Sequence, residues 1–199
     1  MGGQAQKTAV VTGATGAIGH AIAMGMARHG FALTLAVRDT AKGEALAGEI
    51  ARRTGLEPRV ERVDLSRRAS VEAFAKRFRG PLDVLINNAA QTPRARTVTP
   101  EGIEMQFAVN VLGYFWMIEN FRAALKKAAP SRVVNVASYW AGGSAGGGVV
   151  ISILPRQGNC QDRRTVPRNA GISSGASYTA RCAAGSCVLC MRSNAQAGV

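Results

Sequence analysis

Apolar segments of strand length alternate along this chain with amphipathic segments of helix length, and this alternation limits the folds open to it. The predicted strands are Thr8–Thr12, Phe31–Val37, Arg59–Val63, Leu82–Asn87 and Arg132–Ala137. The predicted helices are Ala17–His29, Thr40–Thr54, Arg67–Arg79 and a longer one from about Pro100 to Ala129. Strands rich in valine, isoleucine and leucine between such helices are typical of βαβ units. We therefore predict an α/β fold, a Rossmann-type doubly wound parallel sheet of at least five strands.

The composition is that of a globular protein and excludes several classes of function. The 199 residues allow one domain with a sizeable core, and 47% are hydrophobic while 19% are charged. The sequence shows neither a bilayer-length apolar run nor a secretory signal, so we predict a cytoplasmic protein with no membrane partner. The formal net charge is +13, but the lysines and arginines are scattered and lack interleaved aromatic residues. Specific nucleic-acid binding is therefore not predicted.

The first predicted strand runs directly into a glycine turn and then a helix. The sequence from Val10 to Gly19 is VVTGATGAIG. Such a turn directs the unpaired backbone N–H groups of the helix start at whatever lies in the turn. Gly13, Gly16 and Gly19 allow the main chain to approach a pyrophosphate closely. Taken alone, the motif leaves the alternative open that these glycines serve tight packing only.

Polar residues follow the other predicted strands, at the end of a parallel sheet where ligands bind. Arg38 is the first residue after the second strand, and Asp39 comes next. An arginine here can pair with a 2′-phosphate, whereas an acidic residue would bond the ribose 2′-hydroxyl, so NADP is favoured over NAD. The alternative that Arg38 and Asp39 form only a solvated turn stays open.

Five motifs in order resemble the short-chain dehydrogenase/reductase family, between about Lys7 and Tyr139. They read TGATGAIG, VDL, NNAA, FAVNVLGYF and RVVNVAS. The segment AVRDTAKGEALAGEI is similar to the retinol-dehydrogenase-like, NADP-preferring branch of the family. The resemblance implies hydride transfer between a nicotinamide cofactor and a small-molecule alcohol or carbonyl substrate. The resemblance is also compatible with a homo-oligomer.

The resemblance also implies roles for individual residues. The cofactor-binding residues would be Gly13, Thr15, Gly16, Ile18 and Gly19 at the pyrophosphate, Arg38 at the 2′-phosphate, Asp64 and Leu65 at the adenine, and Asn87 at the cofactor ribose region. Asn110 would hold a proton-relay water, and Ser138 would polarise the substrate carbonyl. Ala17 and Ala90 stand where the family usually has glycine, and the methyl group of Ala17 would crowd the phosphate.

The chain departs from the family pattern at the catalytic tyrosine and lysine. The lysine stands four residues after the tyrosine and lowers the tyrosine's pKa. In this chain the last lysine is Lys127, and the tyrosine at the most suitable distance, Tyr178, is followed four residues later by Cys182. Arg181 is a bulkier substitute for the missing cation. The alternative to an active reductase is therefore a noncatalytic dinucleotide-binding fragment of a truncated or frameshifted one.

The composition of the chain changes after Gly142, where arginine, glycine, alanine, serine and cysteine dominate a segment without lysine. This is typical of a GC-rich gene read out of frame. We predict a dinucleotide-binding Rossmann domain over 1–141, incomplete at its C-terminal side, and a divergent, poorly ordered tail over 142–199. The four cysteines of the tail are irregularly spaced, so no metal site is predicted.

Overall fold

Strands and helices alternate along the chain in the predicted order. The computed structural model describes residues 6–137 and, beyond them, the backbone of three further strands. The first strands are β1 (Thr8–Thr12), β2 (Ala32–Val37), β3 (Arg59–Arg62), β4 (Val84–Asn87) and β5 (Ser131–Val136). The helices are α1 (Ala17–Arg28), α2 (Thr40–Thr54), α3 (Arg68–Arg77), α4 (Met105–Phe107) and α5 (Gly113–Lys127), with a π-helical turn at Ala108–Leu112 between the last two.

The first five strands form a parallel sheet in the order β3-β2-β1-β4-β5. β1 lies at its centre and pairs in parallel with both β2 and β4, so that Val10 faces Thr34 on one side and Leu85 on the other. The predicted parallel sheet of five strands is confirmed. The strand order reverses at β1, because the chain proceeds outward to β2 and β3 before it returns to β4. The carboxyl ends of β2, β1 and β4 therefore flank the point where open α/β sheets bind ligands.

Three later strands extend the sheet beyond β5 by antiparallel pairing. They are β6 (Val149–Leu154), β7 (Ala176–Ala183) and β8 (Ser186–Ser193), and they lie in the order β6-β8-β7. All three fall within 142–199, the predicted divergent tail. The poor order predicted for 142–199 extends to residues that the structure does not describe. It therefore stays a prediction.

Both faces of the parallel sheet are buried against helices, because successive residues of a strand point to opposite faces. On one face, Val11 packs with α1 and α2 in a cluster that includes Met24 and Ile50. On the other, Val10 packs with α3 and α5, where the rings of Phe74 and Phe121 have their centroids 5.0 Å apart. Among the described residues, no helix is long and apolar enough to span a bilayer.

The long helix begins at Met105 and not near Pro100 as predicted. Residues before it form a tight turn, in which the amide of Gly102 (φ +80°) donates to the carbonyl of Thr99 at 2.9 Å. The carboxylate of Glu104 then accepts hydrogen bonds from the first two amides of α4 beyond Met105, at 2.9 and 2.7 Å. Glu104 therefore caps the helix and sets its start, which the apolar periodicity alone does not reveal.

A hydrogen bond between His20 of α1 and Glu49 of α2 gives the fold a predicted pH dependence. His20 Nε2 lies 3.0 Å from Glu49 Oε2, and this hydrogen bond, together with the charge of Arg53, lowers the pKa of Glu49 below its usual 4.5. Since the pKa is lower in the folded protein, the stabilisation is present above the unfolded pKa and is lost as the pH falls through the folded pKa.

We expect Glu49→Gln to be less stable than the unmodified protein near neutral pH and equally stable in acid. Urea unfolding at a series of pH values from about 6 down to about 3 measures this difference. A difference that stays constant over that range would contradict the assignment.

Candidate functional site

The turn between β1 and α1 is built from two glycines that have no room for a side chain. Gly13 has φ +63°, and a Cβ atom there would lie 2.6 Å from the Cα atom of Ala89. A Cβ atom at Gly19 would lie 2.1 Å from the carbonyl oxygen of Gly13. No side chain in the described part of the chain caps the start of α1, where Gly16 is the N-cap residue. The first amides of α1 are therefore available to an anion in the turn.

The loop after β4 is held against this turn by two polar side chains. Thr12 Oγ1 accepts hydrogen bonds from the amides of Asn88 and Ala89, at 2.9 and 3.1 Å. In return, Asn88 Nδ2 donates to the carbonyl oxygens of Thr12 and Gly13, at 3.1 and 3.2 Å. Sequence reasoning did not assign roles to Thr12 or Asn88. The position of Thr12 directly before the first glycine was the available signal.

Above the glycine turn lies a cleft of about 530 Å³. It opens at the carboxyl ends of β1, β2 and β4, as the strand order predicts. Seven of the predicted cofactor-binding residues line it, namely Gly13, Thr15, Gly16, Ile18, Gly19, Arg38 and Leu65. Ala17 lines it too, at the position where the resemblance leads one to expect glycine.

Asp64 and Asn87 are not among the described residues that line the cleft. Asn87 is fully buried, and its Nδ2 atom donates to Oδ1 of Asn135, its register partner on β5, at 2.8 Å. Asp64 Oδ1 accepts from the amide and the hydroxyl of Ser66, at 2.9 and 2.7 Å. The structure therefore places both side chains in contacts that order the sheet and the turn before α3.

The part of the cleft beyond β2 carries two cations and one carboxylate. Arg38, Asp39 and Lys42 all line it. Among the described residues, Arg38 has no carboxylate within ion-pair distance, and its Nη1 atom donates to Oε1 of Gln91 at 3.0 Å. The carboxylate of Asp39 is turned to the start of α2, where it accepts from the amide of Lys42 at 3.2 Å and lies 3.7 Å from Nζ of Lys42. Asp39 is thus the N-cap of α2, and its carboxylate contacts the helix start and Lys42.

Asn110 lies in the π-helical turn, a distortion often found at functional sites. Its Oδ1 atom accepts from the amide of Gln91 at 2.8 Å, and its Nδ2 atom donates to the carbonyl of Gln91 at 3.1 Å. A carboxamide has two N–H groups and two acceptor lone pairs. With respect to the described residues, one N–H and one lone pair therefore remain for the water predicted at Asn110.

The other predicted catalytic residues are not described at side-chain level. Ser138 lies outside the described residues, directly after them. Tyr178 lies in β7, opposite Met191 of β8, and the structure describes its backbone pairing only. A tyrosine that sequence reasoning did not assign, Tyr114, donates its hydroxyl to the carbonyl of Val136 at 3.4 Å, and burial raises its pKa to about 12. Tyr114 is therefore neutral at physiological pH.

Comparisons with known proteins agree with this architecture. A family model for short chain dehydrogenases matches residues 7–150. The chain is 43% identical over 136 residues to human retinol dehydrogenase 11, and this match covers 66% of the chain and 43% of that protein. The chain thus spans less than half the length of this curated relative.

Two solved structures resemble the described fold. One is an alcohol dehydrogenase from the archaeon Thermococcus sibiricus complexed with 5-hydroxy-NADP, with a TM-score of 0.55 and 36% identity over 62% of this chain and 55% of that chain. The other is a metagenomic short-chain oxidoreductase in complex with NADP, with a TM-score of 0.60 and 32% identity over 66% of this chain and 62% of that chain. The family match covers most of the chain, and the solved relatives share its sheet, so the chain belongs to the short-chain dehydrogenase family.

Proposed function

We propose that the cleft binds NADP(H), in preference to NAD(H), for hydride transfer involving a small alcohol or carbonyl compound. The observation that carries this proposal is the Arg38 guanidinium at the part of the cleft beyond β2. Arg38 faces the cleft with no carboxylate partner among the described residues, and the nearby Asp39 is engaged at the start of α2. A guanidinium in this state attracts a phosphate, and its planar fork suits phosphate oxygens.

The residues around the glycine turn fit the rest of such a cofactor. The amides at the start of α1 would bind the pyrophosphate, because a helix N-terminus favours negative charge. Gly13 and Gly19 allow the turn to pack tightly on itself and on the loop after β4, and this packing fixes the turn that presents these amides. Lys42, whose ammonium lies 3.7 Å from the carboxylate of Asp39, also lines this part of the cleft. Leu65 would supply apolar contact for the adenine.

The proposed reaction is the one that the family match supports. When bound, the nicotinamide supplies or accepts the hydride. Asn110 would hold a water of the proton relay with its remaining N–H and lone pair, and Ser138 would polarise the substrate carbonyl. The two solved relatives named above were crystallised with NADP or a derivative of it, which supports the choice of cofactor.

Substitution of Arg38 tests the cofactor preference. We expect the unmodified protein to bind NADPH more tightly than NADH, and Arg38→Ala to lose roughly tenfold or more in NADPH affinity with little change for NADH. The reason is that a hydrogen bond to a charged group contributes about 1.5–3 kcal/mol. Isothermal titration calorimetry of both proteins with both cofactors measures the four affinities.

The matched control is Arg122→Ala, which removes an exposed arginine of α5 that lies 4.0 Å from Glu119. It is not among the residues that line the cleft. We expect it to leave both affinities unchanged. Equal affinity of the unmodified protein for NADPH and NADH, with no change in Arg38→Ala, would refute the proposed preference.

A further inference from the structure

Gln91 connects two sides of the cleft. It follows β4, whereas Arg38 follows β2, and β1 lies between these two strands in the sheet. The hydrogen bond from Arg38 Nη1 to Gln91 Oε1, 3.0 Å long, therefore passes over the carboxyl end of β1, where the glycine turn begins. Both residues line the cleft.

The backbone of Gln91 is held in place independently of its side chain. The carboxamide of Asn110 bonds both its amide, at 2.8 Å, and its carbonyl oxygen, at 3.1 Å. Asn110 itself lies in the π-helical turn that continues into α5. The Gln91 side chain thus extends from a fixed point, while the Arg38 side chain is exposed to solvent. Exposed arginines otherwise sample many rotamers.

The chemistry of the contact leaves the charge of Arg38 available. A glutamine oxygen is a neutral acceptor, and it occupies one of the five N–H donors of a guanidinium. A carboxylate in the same place would neutralise the guanidinium and repel a phosphate. The amide therefore orients Arg38 without competing for its charge.

We propose that Gln91 is a positioning residue that holds the Arg38 guanidinium over the cleft and so strengthens selectivity for a dinucleotide with a 2′-phosphate. This inference rests on the proposed binding of NADP(H). Gln91 acts by restricting the rotamers of Arg38 before the ligand arrives, so that less side-chain entropy is lost on binding. NADH has no 2′-phosphate, and its affinity does not depend on this restriction.

The test is Gln91→Met, which keeps the length of the side chain and removes the acceptor. The backbone bonds to Asn110 do not need the glutamine side chain, so the variant retains the loop. We expect NADPH affinity to fall about two- to tenfold, the range that ordering one long side chain implies, with NADH affinity unchanged. Gln106→Met, on the exposed surface of α4 and not among the cleft-lining residues, is the matched control.

Two further variants separate positioning from a structural role. Gln91→Glu keeps an acceptor and adds a negative charge, and we expect it to lower NADPH affinity more than Gln91→Met does. In the Arg38→Ala background, Gln91→Met should have no additional effect, because its action passes through Arg38.

Three results would overturn the inference: an equal loss for both cofactors, a loss that persists without Arg38, or a gain in NADPH affinity in Gln91→Met. The last would mean that Gln91 competes with the phosphate. If Arg38→Ala itself leaves cofactor binding unchanged, the proposed preference for NADP(H) fails together with this inference. If Arg38 matters and Gln91 does not, only the inference fails.

Discussion

Turnover by this chain is expected to be about 10²–10⁴-fold slower than that of short-chain dehydrogenases with a tyrosine–lysine pair, because this range is the usual contribution of general acid–base catalysis. The family reaction needs a proton donor whose pKa is lowered by a nearby cation. No lysine follows Lys127 in the sequence. A tyrosine without such a partner has a pKa of about 10 and is poorly matched to neutral pH.

The arrangement of β7 adds a second reason. In a helix, residues four positions apart are neighbours on one face. Tyr178 and Cys182 both lie in the strand β7, where four residues span about 13 Å at ~3.3 Å per residue. The positions that would carry the tyrosine and the lysine are thus too far apart along the strand for one to tune the other.

The assay is NADPH oxidation with a panel of aldehydes, ketones and retinoid-like carbonyl compounds, alongside a reference member of the family. NADPH binding measured on the same preparation serves as the control, because a folded cofactor site should still bind. We expect the residual rate to be the same in Tyr178→Phe. Robust turnover that disappears in Tyr178→Phe would show instead that Tyr178 is a working proton donor.

A methyl group at Gly19 is expected to disrupt the glycine turn. In Gly19→Ala the Cβ atom would lie 2.1 Å from the carbonyl oxygen of Gly13 and 2.8 Å from the Cα atom of Ala14. Both are backbone atoms of the same tight turn, so the turn itself must shift. Overpacking of this kind lowers the free energy of unfolding by about 1–3 kcal/mol. We also expect loss of dinucleotide binding, because the amides of α1 move with the turn.

Gly16→Ala in the same turn is the matched control. A Cβ atom there would meet the carbonyl oxygen of Gly13 at 3.6 Å, an ordinary contact, and Gly16 has φ −80°, which alanine adopts freely. Its free energy of unfolding should stay within about 1 kcal/mol of the unmodified protein, since the poorer N-cap and the stiffer unfolded chain offset each other. Urea unfolding of both variants measures the difference. Equal stability of the two variants would contradict the steric account.

The order and type of the first five strands follow from local sequence. Each strand of the buried parallel sheet is apolar on both faces, and each helix is apolar on one face, so the two kinds of segment differ in periodicity. Thr40–Thr54 is predicted and observed with the same bounds. The start of the long helix was missed, because it depends on the cap at Glu104 and on the turn before it.

The glycine turn was also predictable, because its chemistry is local. Close backbone approach and a positive φ require glycine at Gly13 wherever the chain goes afterwards. The position of Arg38 was predictable for the same reason, because it depends only on where β2 ends. Each of the seven predicted residues that line the cleft was predicted from such a local signal or from the family resemblance.

Contacts between distant strands were decided by the tertiary structure. Asn87 and Asn88 are neighbours in sequence, yet one is buried against Asn135 and the other clamps the glycine turn. Asn87 ends β4 and Asn88 begins the loop after it, and only the pairing of β4 with β1 and β5 determines what each side chain meets. The bond between Arg38 and Gln91 joins residues 53 positions apart. The sequence by itself determined the strand–turn–helix units and their ligand-facing ends. The contacts across those ends depend on the sheet order, because these contacts join residues that only the folded sheet brings together.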